Sequence, residues 1–203
     1  MIVVGLTGNY GMGKSTVSEM FRELGSVCID TDKIVRDLLH ESSVVDEIKK
    51  TFGDDIMEGN AINRKMLADI IFQNPNLRIY LENIVHPAVF KGINKELSRI
   101  SRKGRPCIVI IEAPVIFERS YQNRFDKIIT VFTSEDAALS RLEGKGISRE
   151  DAMKRLKSQL PVEAKVKKSD FAIDNSKDLK HTRKQVEDIY QQLLLMEKRH
   201  GYN

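Results

Sequence analysis

The sequence predicts an α/β fold, a five-stranded parallel sheet flanked by helices, and two observations predict it. Short apolar segments alternate with longer segments of helical periodicity, an order typical of parallel sheets with helical crossovers. Residues 107–111 are apolar at every position, as expected of a strand that is buried on both faces. At 203 residues, the chain suits one domain that carries insertions.

The predicted elements follow one another from the first residues. The first strand covers residues 2–6 and leads to a helix from Lys14 to about Leu24, which Gly25 closes. The last helix begins near Asp178, and its apolar residues recur at helical spacing. These residues are Val186, Ile189, Tyr190, Leu193 and Leu194. The other strands are predicted at residues 26–29, 107–111, 127–132 and 171–173.

Two insertions interrupt this alternation. Residues 33–104, between the second and third strands, are mainly helical in pattern and far longer than an ordinary crossover, so we expect a subdomain over the active site. Residues 140–168, here called the basic segment, are rich in Lys and Arg, and Ser148 stands three residues before Asp151 as a helix cap. We expect the basic segment to form a lid, with a solvated pair of charged helices as the alternative. The core then comprises about residues 1–32, 105–139 and 169–203.

Composition predicts a cytoplasmic globular protein. Hydrophobic residues make up 41% and charged residues 31% of the chain, no apolar run approaches the roughly 20 residues of a membrane span, and no basic signal-peptide region precedes the first strand. Cys28 and Cys107 fall in predicted strands, and we interpret them as buried core residues. The net charge of +4 suits a polyanionic small molecule. Because the lysines are dispersed and no RNA-binding signature is present, we expect no nucleic-acid partner and no membrane association.

A complete G-x-x-x-x-G-K-[ST] motif connects the first strand to the first helix. Its glycines allow successive backbone N–H groups to face a phosphate chain, and the N-terminus of the helix faces the same anion. We expect Lys14 to reach the β- and γ-phosphates of a nucleoside triphosphate and the Ser15 hydroxyl to ligate Mg²⁺. The predicted nucleotide-binding residues are Gly8, Gly11, Met12, Gly13, Lys14, Ser15 and Thr16. The motif predicts a P-loop NTPase fold.

Two acids, Asp30 and Asp32, follow the second predicted strand. The carboxyl ends of parallel strands line the ligand crevice of such a sheet, and an acid there can accept the proton of an attacking hydroxyl. The alternative for Asp32 is a helix N-cap. A GTPase is disfavoured, because residues 175–178 read N-S-K-D rather than N-K-x-D.

The chain resembles the dephospho-CoA kinase family along nearly its whole length. The phosphate loop is similar to the family's GLTGGIGSGKST, and residues 29–32 are similar to its hydrophobic-D-x-D signature. Residues 62–68 and 81–87 resemble its substrate domain, and residues 113–118 stand where PLLFE is usual. The order of Arg141, Leu142, Gln159, Lys165, Asp170 and Asn175 is that of the family's C-terminal part. Asn9-Tyr10 replaces Gly-Ile, and Lys145 stands where many relatives have a second arginine.

The resemblance implies transfer of the γ-phosphoryl group of ATP to the ribose 3′-hydroxyl of dephospho-CoA, a small-molecule substrate, with Mg²⁺ as cofactor. Asp32 is the first candidate for the base and Asp30 the second. Thr7 is expected to contribute a hydroxyl contact, and Arg141 to neutralise transition-state charge from the lid. The remaining contacts that the resemblance implies are Arg64, His86 and Phe117 for the acceptor, and Lys145 and Asn175 for the nucleotide, with Asn175 near the adenine.

Several alternatives stay open at this point. The His86-Pro87 step is equally expected to shape a turn that ends a helix, and Phe117 is equally expected to fill the core. Two other functions remain, a kinase of another small hydroxyl acceptor and a regulatory or nucleic-acid-binding P-loop ATPase. We expect a monomer or a weak homo-oligomer.

Overall fold

The computed structural model describes residues 1–59, 61–102, 104 and 107–200. The chain divides into two compact units, the first comprising Met1–Asp30 with Gly104–Asn203 and the second Thr31–Lys103. The strands are β1 (Ile2–Thr7), β2 (Val27–Asp30), β3 (Met57–Glu58), β4 (Ala61–Ile62), β5 (Ile108–Glu112), β6 (Lys127–Phe132) and β7 (Phe171–Asp174). The α-helices are α1 (Lys14–Glu23), α2 (Thr31–Leu38), α3 (Ser42–Phe52), α4 (Arg64–Gln73), α5 (Pro75–Ser101), α6 (Glu135–Glu143), α7 (Arg149–Lys157), α8 (Val162–Lys168) and α9 (Leu179–His200).

A parallel sheet forms the centre of the first unit, with the strand order β2-β5-β1-β6-β7. Alternate residues of β1, namely Ile2, Val4 and Leu6, pack with apolar residues of α1 and α9. Val186 and Leu193 on α9 are fully buried, as their helical spacing predicts. The five predicted strands and their parallel arrangement are confirmed.

The ends of two helices in the first unit follow from local sequence. Gly25 has a φ of 104°, its N–H donates to the carbonyl of Arg22, and the next N–H donates to Phe21, so glycine closes α1 as predicted. Asp178 begins α9, because its carboxylate accepts a hydrogen bond of 2.7 Å from the N–H of His181.

The cysteines differ from the prediction. Cys28 lies in β2, whereas Cys107 precedes β5 by one residue. Both thiols are free and only partly buried. Cys28 packs against the core, but its strand β2 lies at the edge of the sheet. Because β2 has a neighbouring strand on one side only, Cys28 stays partly exposed.

The second unit is mainly helical and also contains a two-stranded antiparallel hairpin of β3 and β4. Helices α2, α3 and α4 each pack against the long helix α5. Pro87 lies inside α5, so the expectation that His86-Pro87 shapes a helix-ending turn is wrong. The proline removes one backbone donor, and the packing of three helices against α5 compensates for that loss. Among the described helices, none has the length and apolar character needed to cross a membrane.

The basic segment forms α7, α8 and the end of α6. The Ser148 hydroxyl accepts a hydrogen bond of 3.1 Å from the N–H of Asp151, which confirms the predicted cap. Helix α7 packs against α6, and α8 packs against β6 in the central sheet. Lys165, on α8, is fully buried, although its neighbours in sequence suggest a solvated face.

Candidate functional site

The phosphate loop lies between β1 and α1, at the carboxyl end of the central strand of the sheet. Gly8, Gly11 and Gly13 adopt φ values of 146°, 79° and 94°, in the region that favours glycine. The Lys14 ammonium donates hydrogen bonds to the carbonyl oxygens of Gly8 at 2.9 Å and Asn9 at 3.2 Å. The loop therefore has the backbone conformation, and Lys14 the location, that phosphate binding requires.

The remaining loop residues divide into buried and exposed ones. The Met12 side chain is 3% exposed and packs with Ala138 and Val162, so this side chain is not available to a nucleotide. Ser15 and Thr16 begin α1 and are exposed. Their hydroxyls are therefore accessible to a ligand.

The Asn175 side chain holds the backbone of the phosphate loop by a hydrogen bond. Its Nδ2 donates to the carbonyl oxygen of Met12 at 3.0 Å, and its Oδ1 accepts from the Thr182 hydroxyl at 3.0 Å. A Cβ atom on Gly13 would collide with the Asn175 amide, so glycine is required for this close approach. Both ends of the Asn175 amide are thus engaged with protein groups, and its predicted proximity to adenine stays a prediction.

Arg141 places a guanidinium beside the same part of the loop. Its Nη2 donates to the backbone carbonyl of Asn175 at 2.8 Å, and its Nη1 lies 3.6 Å from the position that a Gly13 Cβ would occupy. Nη1 is buried and has no hydrogen-bond partner within the described part of the chain. Because a buried donor without an acceptor is costly, this atom fits a phosphate oxygen. Lys145, by contrast, is exposed in the turn between α6 and α7.

Acidic residues end two adjacent strands near the loop. Asp30, the last residue of β2, stands opposite Glu112, the last residue of β5. The Ser15 hydroxyl donates to Oε2 of Glu112 at 3.4 Å. Asp32 is exposed in the first turn of α2, which begins at Thr31. The N-cap alternative for Asp32 is therefore wrong, because the helix starts before it.

Thr7 is fully buried at the end of β1. Its hydroxyl donates to the carbonyl oxygen of Pro114 at 3.2 Å. The Lys165 ammonium donates to the same carbonyl at 3.0 Å and pairs with Oε1 of Glu118 at 2.6 Å. Burial lowers the pKa of the Lys165 ammonium, and its hydrogen bond to Glu118 opposes that shift.

Tyr10 connects the phosphate loop to the basic segment. Its ring packs against the apolar cluster of α6 and α7, and its N–H donates to Oε1 of Gln159 at 2.9 Å. The guanidinium carbon of Arg155 lies 5.1 Å from the ring centroid, and Nη1 of Arg155 donates to the Tyr10 hydroxyl at 3.0 Å. The Tyr10 side chain is thus one of the direct contacts between the loop and the basic segment.

The predicted acceptor contacts lie in different environments. Arg64 is the exposed first residue of α4, and His86 is half-buried within α5, against which α4 packs. Phe117 belongs to the first unit and is 8% exposed among Ile116 and Ile128. This burial favours the packing alternative for Phe117, and its contact with substrate stays a prediction.

The described residues offer few ligands for a bare metal ion. In residues 1–59, 61–102, 104 and 107–200, no three His, Cys, Asp or Glu side chains form a group that could hold one. Mg²⁺ in nucleotide sites is held largely by phosphates and water, with one or two protein oxygens. The Ser15 hydroxyl and the Glu112 carboxylate fit that limited role.

Sequence reasoning missed several residues around the loop. Gln159 and Lys165 stand out in the sequence only through the family resemblance, and Arg155 lies unmarked in the basic segment, which is rich in Lys and Arg. Glu118 ends the segment that stands where PLLFE is usual, but that segment does not indicate its partner, and Thr182 belongs to no motif. A lysine in a run of basic residues gives no signal that it is buried.

Comparisons with known proteins identify the family of the chain. The family model described as dephospho-CoA kinase matches residues 2–181. The dephospho-CoA kinase of Aquifex aeolicus is 41% identical over 193 residues, which cover 94% of this chain and 96% of the relative.

Two solved structures are similar to the chain over nearly its whole length. A protein of Thermus thermophilus matches with a TM-score of 0.83 at 28% identity, over 95% of this chain and 97% of that one. The dephospho-CoA kinase of Campylobacter jejuni matches with a TM-score of 0.67 at 30% identity, over 94% and 96% of the two chains. The chain belongs to the dephospho-CoA kinase family, the ATP-dependent kinases of the last step of coenzyme A biosynthesis.

Proposed function

We propose that this chain transfers the γ-phosphoryl group of ATP to the ribose 3′-hydroxyl of dephospho-CoA, using the residues named above. Besides the family, one observation supports the proposal. A buried Arg141 Nη1 without a hydrogen-bond partner among the described residues lies beside Gly13 of the phosphate loop, where a phosphoryl group in transfer requires positive charge.

The phosphate loop binds the donor in this proposal. Backbone N–H groups of Gly8 and residues 11–16 surround the phosphates. The Lys14 ammonium has three N–H donors, so it keeps one of its two bonds to the loop carbonyls and directs the other two donors to the β- and γ-oxygens. The Ser15 hydroxyl and the Glu112 carboxylate, which lie in contact, would hold Mg²⁺ and its water ligands, and the ion would neutralise phosphate charge.

Asp32 orients the acceptor hydroxyl and accepts its proton, with Asp30 as the second candidate. As the 3′-oxygen bonds to the γ-phosphorus, the bond from that phosphorus to the β,γ-bridging oxygen breaks, and ADP leaves. The proton moves from the 3′-hydroxyl to the carboxylate. Arg141 and Lys14 stabilise the charge that spreads over the transferring group.

The acceptor contacts and the lid are further parts of the proposal. The second unit, Thr31–Lys103, serves as the acceptor-binding insertion through Arg64 and His86, and Phe117 contacts the acceptor. The basic segment serves as the lid, with Lys145 in place of a second arginine and Asn175 near the donor base. Thr7 contributes through its hydroxyl.

The cellular setting completes the proposal. The substrate is a small molecule, and we expect neither nucleic acid nor a membrane as partner. We expect a monomer or weak homo-oligomer in the cytoplasm. Gel filtration with light scattering tests the oligomeric state.

The first experiment supplies ATP and Mg²⁺ with and without dephospho-CoA and identifies the product by mass. We expect coenzyme A and ADP in equal amounts. A set of nucleosides and nucleotides serves as the control for acceptor choice. ATP consumption with one of those acceptors, and none with dephospho-CoA, would contradict the proposal.

The second experiment tests the base. Asp32→Asn should reduce kcat at least a hundredfold, because general-base catalysis contributes about 10²–10⁴, while ATP affinity stays within about twofold. Asp37→Asn, an exposed acid on the same helix, is the matched control and should retain full activity. Near-normal turnover of Asp32→Asn would exclude this residue as the base.

A further inference from the structure

Lys165 is a charged residue that the proposed mechanism does not use. Its side chain has a relative exposure of 0% on α8, although lysine is among the residues that are almost never fully buried. Moving an ammonium group out of water is costly unless close partners replace the water. The position therefore requires an explanation.

The partners of Lys165 belong to the segment after β5. Nζ lies 2.6 Å from Oε1 of Glu118 and donates to the carbonyl oxygen of Pro114 at 3.0 Å. The same Oε1 accepts a hydrogen bond of 3.2 Å from the N–H of Leu160. The ammonium thus joins α8 to two residues of that segment.

The two partners of Lys165 are linked by further hydrogen bonds to Thr7 and Asn9 at the start of the phosphate loop, Pro114 directly and Glu118 through Leu160. The Pro114 carbonyl accepts the Thr7 hydroxyl at 3.2 Å, and Thr7 directly precedes Gly8 in sequence. The Leu160 carbonyl accepts Nδ2 of Asn9 at 3.0 Å. The residues on either side of Gly8 are therefore held by groups that Lys165 orders.

The start of the loop in turn determines where Lys14 lies. Lys14 Nζ is bonded to the carbonyl oxygens of Gly8 and Asn9. If these carbonyl oxygens are displaced, the Lys14 ammonium that donates to them is displaced as well. Groups that hold charge in a transferring phosphoryl must be placed accurately, because small misplacements cost large factors in rate.

We propose that Lys165 is a positioning residue of the kinase reaction, which acts through Pro114 and Glu118 to hold the Thr7–Asn9 entrance of the phosphate loop, and thereby Lys14. The effect on turnover rests on the proposed function. The effect on nucleotide binding does not, because it requires no acceptor.

A merely structural ion pair is the competing explanation, and a charge-neutral double variant separates the two. Lys165→Met alone leaves the Glu118 carboxylate buried without its cation, so it should lower the Tm. Lys165→Met with Glu118→Gln removes both charges, and such replacements are often neutral for stability. The introduced glutamine amide retains an oxygen for the Leu160 N–H, but the Pro114 carbonyl still lacks its lysine donor.

The test measures the Tm, ATP affinity by calorimetry, and kcat and KM for both substrates. We expect the double variant to recover most of the Tm lost by Lys165→Met, while its ATP affinity and kcat stay at least tenfold below wild type. KM for dephospho-CoA should stay within twofold. Lys167→Met, an exposed lysine on the same helix, is the matched control. Recovery of ATP affinity and kcat together with the Tm would overturn the positioning role.

Hydrogen exchange of the nucleotide-free protein gives a second readout. Thr7→Val keeps the Lys165 contacts but removes the link from Thr7 to Pro114. We expect amide exchange at residues 8–13 to become at least fivefold faster in Thr7→Val and in the Lys165 variants. Unchanged exchange in all of them would refute the proposal even where a variant is unstable. If the wild type binds ATP but makes no coenzyme A, the proposed function fails, and the affinity and exchange comparisons still decide the role of Lys165.

Discussion

Replacing Asn175 with alanine tests whether this side chain braces the phosphate loop or contacts the base. The alanine removes the bond to the Met12 carbonyl and the bond from the Thr182 hydroxyl, each 3.0 Å long. The Thr182 hydroxyl retains an acceptor, the Asp178 carbonyl at 3.3 Å. The Met12 carbonyl loses the Asn175 donor.

The expected loss in the free energy of unfolding follows from these hydrogen bonds. A buried hydrogen bond contributes about 1 kcal/mol, and a buried group left without its partner costs about 1–3 kcal/mol. We therefore expect a loss of about 2 kcal/mol in the free energy of unfolding, or a Tm lower by roughly 4–8 °C for a chain of this size. Thr182→Val removes the hydroxyl that donates to Asn175 Oδ1 and to the Asp178 carbonyl. It keeps the bond from Asn175 to the Met12 carbonyl and should cost about half as much. Differential scanning calorimetry measures both variants.

Nucleotide affinities separate the two roles of Asn175. A looser phosphate loop weakens ATP and GTP by the same factor, which we expect to be about tenfold. A lost base contact weakens ATP alone and leaves the Tm almost unchanged. Calorimetric titration with both nucleotides distinguishes these outcomes. An ATP-specific loss at an unchanged Tm would refute the bracing role.

Three further predictions concern groups around the sheet and the basic segment. Burial raises the pKa of the Cys28 and Cys107 thiols, so less thiolate is present near neutral pH than in free cysteine. Iodoacetamide should therefore label both residues more slowly than free cysteine, at rates that rise with pH. Labelling as fast as that of free cysteine would contradict this prediction. Tyr10→Leu keeps the apolar contact but loses the bond and ring contact to Arg155, so amide exchange in α7 should accelerate several-fold, and unchanged exchange would show that Tyr10 does not hold α7. Ser148→Ala removes the cap of α7 and should cost about 1 kcal/mol in urea unfolding, whereas equal midpoints for variant and wild type would show that the cap contributes nothing.

The sequence was sufficient for the sheet and the phosphate loop because their signals are local. The apolar run of β5 and the spacing of Gly8 to Thr16 lie within a few consecutive residues, where pattern and conformation are directly linked. Gly25 and Ser148 were predicted for the same reason. Each closes or begins a helix through bonds to residues within one turn.

The remaining features depend on distant contacts. The local preference of proline predicts that a helix ends near Pro87. Helix α5 nevertheless continues past Pro87, because α2, α3 and α4 pack against α5. Lys165 and Glu118 stand 47 positions apart, and neither residue signals its partner. The bond from Asn175 to Met12 spans 163 positions. Such pairs become visible only when the fold brings them together.

The strand order has a consequence for synthesis of the chain. The central strand β1 is made first, yet its neighbours pair it through Ile108 and Lys127, more than a hundred positions later. Loop closure over such a distance is slow, so β1 remains unpaired during synthesis until both neighbouring strands have been made. Until then, the apolar side chains of Ile2, Val4 and Leu6, which are buried in the folded protein, stay exposed. The second unit, which is continuous in sequence and synthesised in between, has all its own contacts available earlier. We therefore expect the nucleotide site to mature last, and chaperone dependence to arise from β1.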